Sequence, residues 1–254
     1  MRLAILGSGS AGNAMLVAAA EVRVLVDCGH PVKVIEERAA RLGFDAAEID
    51  AILVTHEHDD HIAGVGPLAN KYDLPVYATA GSFSGGKARL SSVRDARAFS
   101  PHAPFAIGDL LVRPVPVPHD AREPCQYVFE HAGRRLGVLT DIGTITPHVR
   151  AEYRDCDGLF VEFNHDPARL EACAYPAKLK RRIAGAYGHL SNDQALDFLT
   201  HFTAGRLKRI VAGHLSRRTN DPDTVAALLA PAAAELGAHY AIADQDEVLD
   251  WLEI

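Results

Sequence analysis

Four metal-binding side chains fall within six residues: His56, His58, Asp60 and His61, in the pattern His-x-His-x-Asp-His. The apolar run Ala51–Val54 delivers the chain directly into them. Side chains alternate along extended backbone, so His56 and His58 point the same way and can grip one metal ion. Asp60 and His61, past a turn, can grip a second ion beside it. Imidazole and carboxylate ligands suit Zn, Mn or Fe at catalytic positions that keep an open site. A hydrophobic core has no use for four such groups at a strand end.

Later strand ends offer more ligands. Val115–Pro118 runs into His119, Leu136–Leu139 into Thr140-Asp141, and Ile210–Ala212 into Gly213-His214. Asp141 is a natural bridge between two cations. Two divalent cations about 3.5–4 Å apart suit in-line displacement at phosphorus, with Asp60 orienting the nucleophile and accepting its proton. The leaving oxygen then needs a proton, for which His189 is the candidate. It lies in Gly188-His189-Leu190-Ser191-Asn192, at the mouth of a helix whose N-terminal amides favour phosphate. Spacing alone does not settle whether His189 or His214 is the last metal ligand; His214 is preferred because it follows a buried-type strand. Asn164, His165 and Ser191 are candidate substrate contacts.

The elements that must position these groups read as strands and helices in alternation. Leu3–Leu6 is a strand ended by the glycine loop 7–13, and Met15–Val17 and Val22–Val26 are the next two. Pro31 opens a helix with Val32, Ile35, Ala39 and Leu42 at helical spacing. Pro75–Ala78 is a strand, 81–97 a loop with a weak helix, and 110–117 an edge strand because of Pro114 and Pro116. Tyr127–Glu130 and Arg135–Leu139 form a hairpin, Gly158–Val161 and Arg209–Ala212 are strands, Ser191 caps a helix reaching Phe202, and Asp221–Leu236 is a helix with Pro222 at its first position. Strands followed by strand–helix alternation, occurring twice, predict a layered α/β fold with two sheets. No linker or repeat interrupts residues 1–254, which read as one domain.

The 254 residues carry 26 Lys+Arg against 33 Asp+Glu, a net charge of −7, which argues against a non-specific nucleic-acid coat. A local basic patch is still compatible with it. Lys178, Lys180, Arg181 and Arg182 crowd one segment, and Arg206, Lys208, Arg209, Arg217 and Arg218 follow. Such groups can track a phosphate backbone, and they equally suit a solvated face. Four unpaired Cys and no apolar run near about 18 residues point to a reduced, cytoplasmic protein with no membrane span.

Several segments carry a resemblance to metallo-β-lactamase-fold hydrolases and, more narrowly, to the YycJ/WalJ family. They are the glycine loop 6–13, Val54–His61, His119-Asp120-Ala121, Thr140–Gly143, Glu162–Asp166, Tyr175-Pro176, Leu179–Ile183, Gly188–Asn192 and Gly213–Ser216. The resemblance runs from residue 3 to about 220. It implies a four-layer αββα sandwich with two divalent metal ions, Zn or Mn, at the lip between the sheets. It assigns His56, His58 and His119 to the first ion, Asp60, His61 and His214 to the second, and Asp141 to the bridge. The activity it implies is a 5′-to-3′ exonuclease on double-stranded DNA, serving repair, with DNA as partner and a homo-oligomer allowed. Phe163 stands where relatives are expected to carry a small residue such as Ser, a change that can reshape the pocket.

Three other readings compete. A small-molecule cyclic phosphodiesterase would show a closed pocket in place of an open, basic groove. A thioester, lactone or β-lactam hydrolase would use the same ligands, but Asn164-His165-Asp166 and Gly213–Ser216 point elsewhere. A non-catalytic metal-binding regulator sits poorly with a complete ligand set.

Overall fold

The computed structural model describes all residues, Met1–Ile254. The chain opens with β1 (Arg2–Gly7), β2 (Ala14–Ala19) and β3 (Val22–Val26), followed by α1 (Val32–Arg41), β4 (Ala51–Leu53), α2 (Asp59–Ile62) and α3 (Val65–Tyr72). Next come β5 (Val76–Thr79), α4 (Ala80–Gly85), α5 (Lys87–Leu90), β6 (Ala96–Phe99), β7 (Phe105–Ile107), β8 (Leu110–Pro116), β9 (Cys125–His131) and β10 (Arg134–Leu139). The second half continues with α6 (Pro147–Tyr153), β11 (Gly158–Glu162), α7 (Pro167–Ala172), α8 (Ala177–Ile183), α9 (Asn192–Leu199) and β12 (Arg209–Gly213). It closes with α10 (Pro222–Leu236), β13 (His239–Ile242) and β14 (Leu249–Glu253).

These strands form two seven-stranded sheets, ordered β14-β1-β2-β3-β4-β5-β6 and β13-β12-β11-β10-β9-β8-β7. In each sheet antiparallel neighbours give way to parallel ones. The change comes at β3–β4 in the first sheet and at β10–β11 in the second. Strand–helix alternation repeated in the sequence is therefore the signature of two similar halves.

Alternation along the strands builds the layers. Leu3 and Ile5 join Val24, Val26, Tyr127, Phe129, Val138 and Phe160 in the core between the sheets. Their neighbours Ala4 and Leu6 face Ile35, Ala39, Val65 and Leu68 of α1 and α3. On the far side, Leu139, Leu159, Val161 and Ile210 pack against Tyr153, Phe198, Leu199, Val225 and Leu229 of α6, α9 and α10. Strands covered on both faces need near-continuous apolar runs, and these strands have them. The result is the expected αββα sandwich.

Several local expectations are corrected. β8 is not an edge strand: it lies between β7 and β9. Its pairing with β7 ends at Val112, so Pro114 and Pro116 have no strand on that side to which they would owe an N–H. Residues 81–97 hold α5, most of α4 and the start of β6. The helix capped by Ser191 stops at Leu199, short of Phe202. β13 and β14, beyond Leu236, went unread because each is half exposed and lacks an apolar run.

Candidate metal centre

The expected ligands converge where β4, β8, β10 and β12 end. His56 Nε2 lies 3.0 Å from His58 Nδ1, and His119 Nε2 lies 3.4 Å from the same nitrogen. Nitrogens bound to one ion at about 2.0–2.1 Å in tetrahedral geometry sit about 3.3–3.4 Å apart. The three imidazoles thus fit one ion. Burial pushes the pKa of both His56 and His119 down, so each keeps a neutral ring with a lone pair to give.

A second group lies beside it. His61 Nε2 is 3.5 Å from Asp60 Oδ2, and His214 Nε2 is 3.9 Å from that oxygen. Asp141 stands between the groups, with Oδ2 3.2 Å from His61 Nε2 and Oδ1 3.9 Å from His119 Nε2. One carboxylate presenting an oxygen to each group is the arrangement a bridging ligand needs. Although Asp141 is buried, the His214 and His61 rings hold its carboxyl well below the usual range.

The backbone is forced here. Asp27, Asp141 and His214 have φ of 59°, 47° and 53°, three of the six non-glycine residues with positive φ in the chain. Such conformations persist where the surroundings over-determine them. His214 is fixed by its own N–H, which donates to Ser8 Oγ at 2.7 Å, tying β12 to the glycine loop.

Three residues absent from the expected site complete it. Asp27, fully buried, accepts from His61 Nδ1 at 2.7 Å and from the Thr55 amide and hydroxyl at 2.8 and 2.7 Å. A carboxylate behind a ligating imidazole fixes its tautomer and strengthens it as a donor. Glu162, also fully buried, accepts from His189 Nδ1 at 2.7 Å, His214 Nδ1 at 3.0 Å and the amides of Ile142 and Leu190. Asn13 Nδ2 lies 3.1 Å from His61 Nε2. Asn13 and Glu162 fall in segments that carry the family resemblance, and Glu162 ends a buried strand, as Asp141 nearly does. Asp27 follows β3 in the same way; position at a strand end was the available signal.

His189 lies with Asp141, Glu162 and His214, apart from Asp60 and His61. Burial alone would lower its pKa; the Glu162 carboxylate outweighs that and raises it, favouring the imidazolium. His214 belongs to both groups, standing also with Asp60 and His61.

A cavity of about 250 Å³ opens over this centre, lined by Asp60, Asp141, His189, His214, Arg182 and Tyr175 among others. Asn164 reaches it, but its amide donates to the His214 carbonyl. Ser191 and His165 do not line it. The Ser191 hydroxyl accepts from the Gln194 amide as the cap of α9, and His165 is 2% exposed, bridged to Ser191 through the backbone. Phe163 also stays out: it is fully buried in the outer core of the second sheet. No helix is long and apolar enough to cross a membrane.

Comparison with known proteins gives the family and the fold. Residues 22–214 match the model of the β-lactamase superfamily domain. The chain is 34% identical to exodeoxyribonuclease YycJ of Bacillus anthracis over 222 residues, covering 87% of this chain and 84% of that protein. It is 32% identical to exodeoxyribonuclease WalJ of Streptococcus pneumoniae over 251 residues, covering 96% and 93%. Among solved structures, the metallo-β-lactamase fold protein YhfI from Bacillus subtilis superposes with a TM-score of 0.73 at 18% identity, covering 98% of this chain and 99% of that one.

Proposed function

The chain belongs to the metallo-β-lactamase superfamily and, within it, to the YycJ/WalJ family; from that premise we propose that it is a two-metal, 5′-to-3′ exonuclease of double-stranded DNA, acting in repair in the cytoplasm. The observation that carries the reading is Arg182. It lines the same cavity as Asp60, Asp141, His189 and His214, on the basic helix α8. A guanidinium over the reacting centre suits a substrate that is itself a chain of phosphates.

His56, His58 and His119 would hold one divalent ion, and Asp60, His61 and His214 the other, with Asp141 shared. When bound, the ions supply Lewis-acid stabilisation of the phosphoryl oxygens. Zn and Mn both suit this donor set. The chain's own residues do the rest. Asp60 orients the attacking water and takes its proton. His189, its Nδ1 held by Glu162, lines the cavity and protonates the departing oxygen.

A small phosphodiester substrate is the second reading, and the cavity favours it in one respect: about 250 Å³ is below the range of about 300–1,000 Å³ common for drug-sized ligands. Comparing hydrolysis of duplex DNA with that of a cyclic nucleotide by one preparation separates the two. DNA cleavage supports the proposal; cleavage of the cyclic ester alone replaces it.

A further inference from the structure

We propose that Tyr175, Leu179 and Ile183 form a platform on which the base of the terminal nucleotide docks after leaving the duplex stack. The proposal rests on the nuclease reading above and deepens it. The three residues recur every four positions: Leu179 and Ile183 on α8, and Tyr175 two residues before its start, ahead of the N-cap Pro176. An apolar stripe on a helix is ordinarily turned into a core. Helix α8, however, has no buried residue, and all three of these side chains line the cavity with Asp60 and His189. The stripe faces the reacting centre.

Charge says what chemistry sits against it. Lys178 and Arg181 stand exposed on the rest of the helix, and Arg182 is paired with Asp120 at the cavity wall. A ligand with both a flat apolar group and phosphates fits that combination, and a nucleotide is such a ligand. Arg218 adds support. Its guanidinium lies 5.6 Å from the centre of the Tyr175 ring, it is exposed, and it does not line the cavity. It therefore steadies the ring without occupying the docking space.

Size sets the stoichiometry. At about 250 Å³ the cavity has room of the order of one nucleotide, so on this proposal a duplex end frays before its last phosphodiester reaches the centre. Ring faces and methyl groups accept any base, so the platform itself does not discriminate among bases and only the ease of fraying does. In the step itself, the water oxygen forms a bond to phosphorus and the P–O3′ bond breaks. The terminal residue departs with a 3′-hydroxyl whose proton comes from His189, and the phosphate stays on the new 5′ end. Ends that fray readily, such as mismatched ones, should be digested faster than G·C-closed ends.

The test uses the metal-loaded enzyme and duplexes carrying 2-aminopurine at the first or third position, with the first linkage made uncleavable as a 3′-methylene phosphonate. Binding is expected to raise fluorescence at the first position and leave the third unchanged. On ordinary DNA, Tyr175→Ala is expected to raise KM about ten-fold with a smaller change in kcat, and Tyr175→Phe to restore it. Leu179→Ser and Arg218→Ala, both at surface positions, are expected to shift KM the same way. Unchanged KM in all of these variants, with no fluorescence rise in the wild type, would overturn the platform while leaving the nuclease reading intact. An enzyme that hydrolyses a small phosphodiester but neither binds nor cuts DNA would overturn both.

Discussion

His189 and Glu162 lie 27 residues apart in sequence, yet Nδ1 of the imidazole donates to Oε1 of the carboxylate across 2.7 Å, in a pocket where the carboxylate has no contact with solvent. The pairing does two things. It fixes the ring through Nδ1 at the cavity wall, and it raises the pKa of the imidazole where burial alone would lower it. An acid placed over a phosphodiester needs both.

This pair predicts a leaving-group signature. Glu162→Gln removes the charge that holds the imidazolium and should lower kcat on DNA about 100-fold, within the range of general-acid contributions. A p-nitrophenyl phosphodiester releases an oxygen that needs no proton, so its hydrolysis should fall far less. Equal losses on both substrates would place Glu162 in metal retention and take His189 out of the proton path.

Asp27 makes a prediction about metal binding. Its carboxylate fixes His61 through Nδ1 and is itself fixed by Thr55. Asp27→Asn should weaken one of the two sites about 10–100-fold. Metal titration of stripped protein should show one affinity shifted and the other retained. Two unchanged affinities would leave Asp27 a folding residue only.

Phe163 predicts a change in stability without a change in chemistry. The ring is fully buried with Leu190, Leu215 and Val225 and does not reach the cavity. Phe163→Ala should cost about 3–5 kcal/mol in denaturant unfolding. The kcat of the folded fraction should stay near wild type, and a large fall in it would bring the residue back into the site.

The acid limb of stability should depend on His30. Burial, with the Arg38 guanidinium 3.1 Å away, pushes its pKa down to about 4. In the unfolded chain the ring takes its proton near the ordinary value of about 6.5. Between those values the unfolded state binds more protons, so this contribution to stability falls as pH drops from about 6.5 to about 4 and is level below. His30→Gln should flatten that part of the curve. An unaltered slope would mean that another group carries it.

Much of this was legible in sequence because chemistry that needs clustered ligands leaves them clustered at strand ends. His56, His58, Asp60 and His61 mark the site within one turn of chain, and His119, Asp141 and His214 each stand just past an apolar run. Two sheets in a layered α/β fold followed from strand–helix alternation occurring twice, and the αββα order from the family resemblance. What escaped was single residues acting through others. Asp27 and Glu162 look like ordinary loop acids until the fold sets them behind His61 and His189. Ser191 and His165 are polar groups close to strand and helix ends in sequence, which marks them as candidate contacts; the fold joins them by a backbone bridge and places neither in the cavity lining. The short helices between Pro167 and Ile183 offered too few turns for periodicity to show, although one of them carries the stripe that faces the cavity.

The most direct test is digestion of a DNA duplex labelled at its 5′ end by purified protein in Mn²⁺, beside Asp60→Ala prepared identically and shown by circular dichroism to be folded. The account predicts progressive loss of the label with wild type and none with the variant. Label retained by both, with a small phosphodiester still hydrolysed by the wild type, would contradict the claim that this centre acts on DNA.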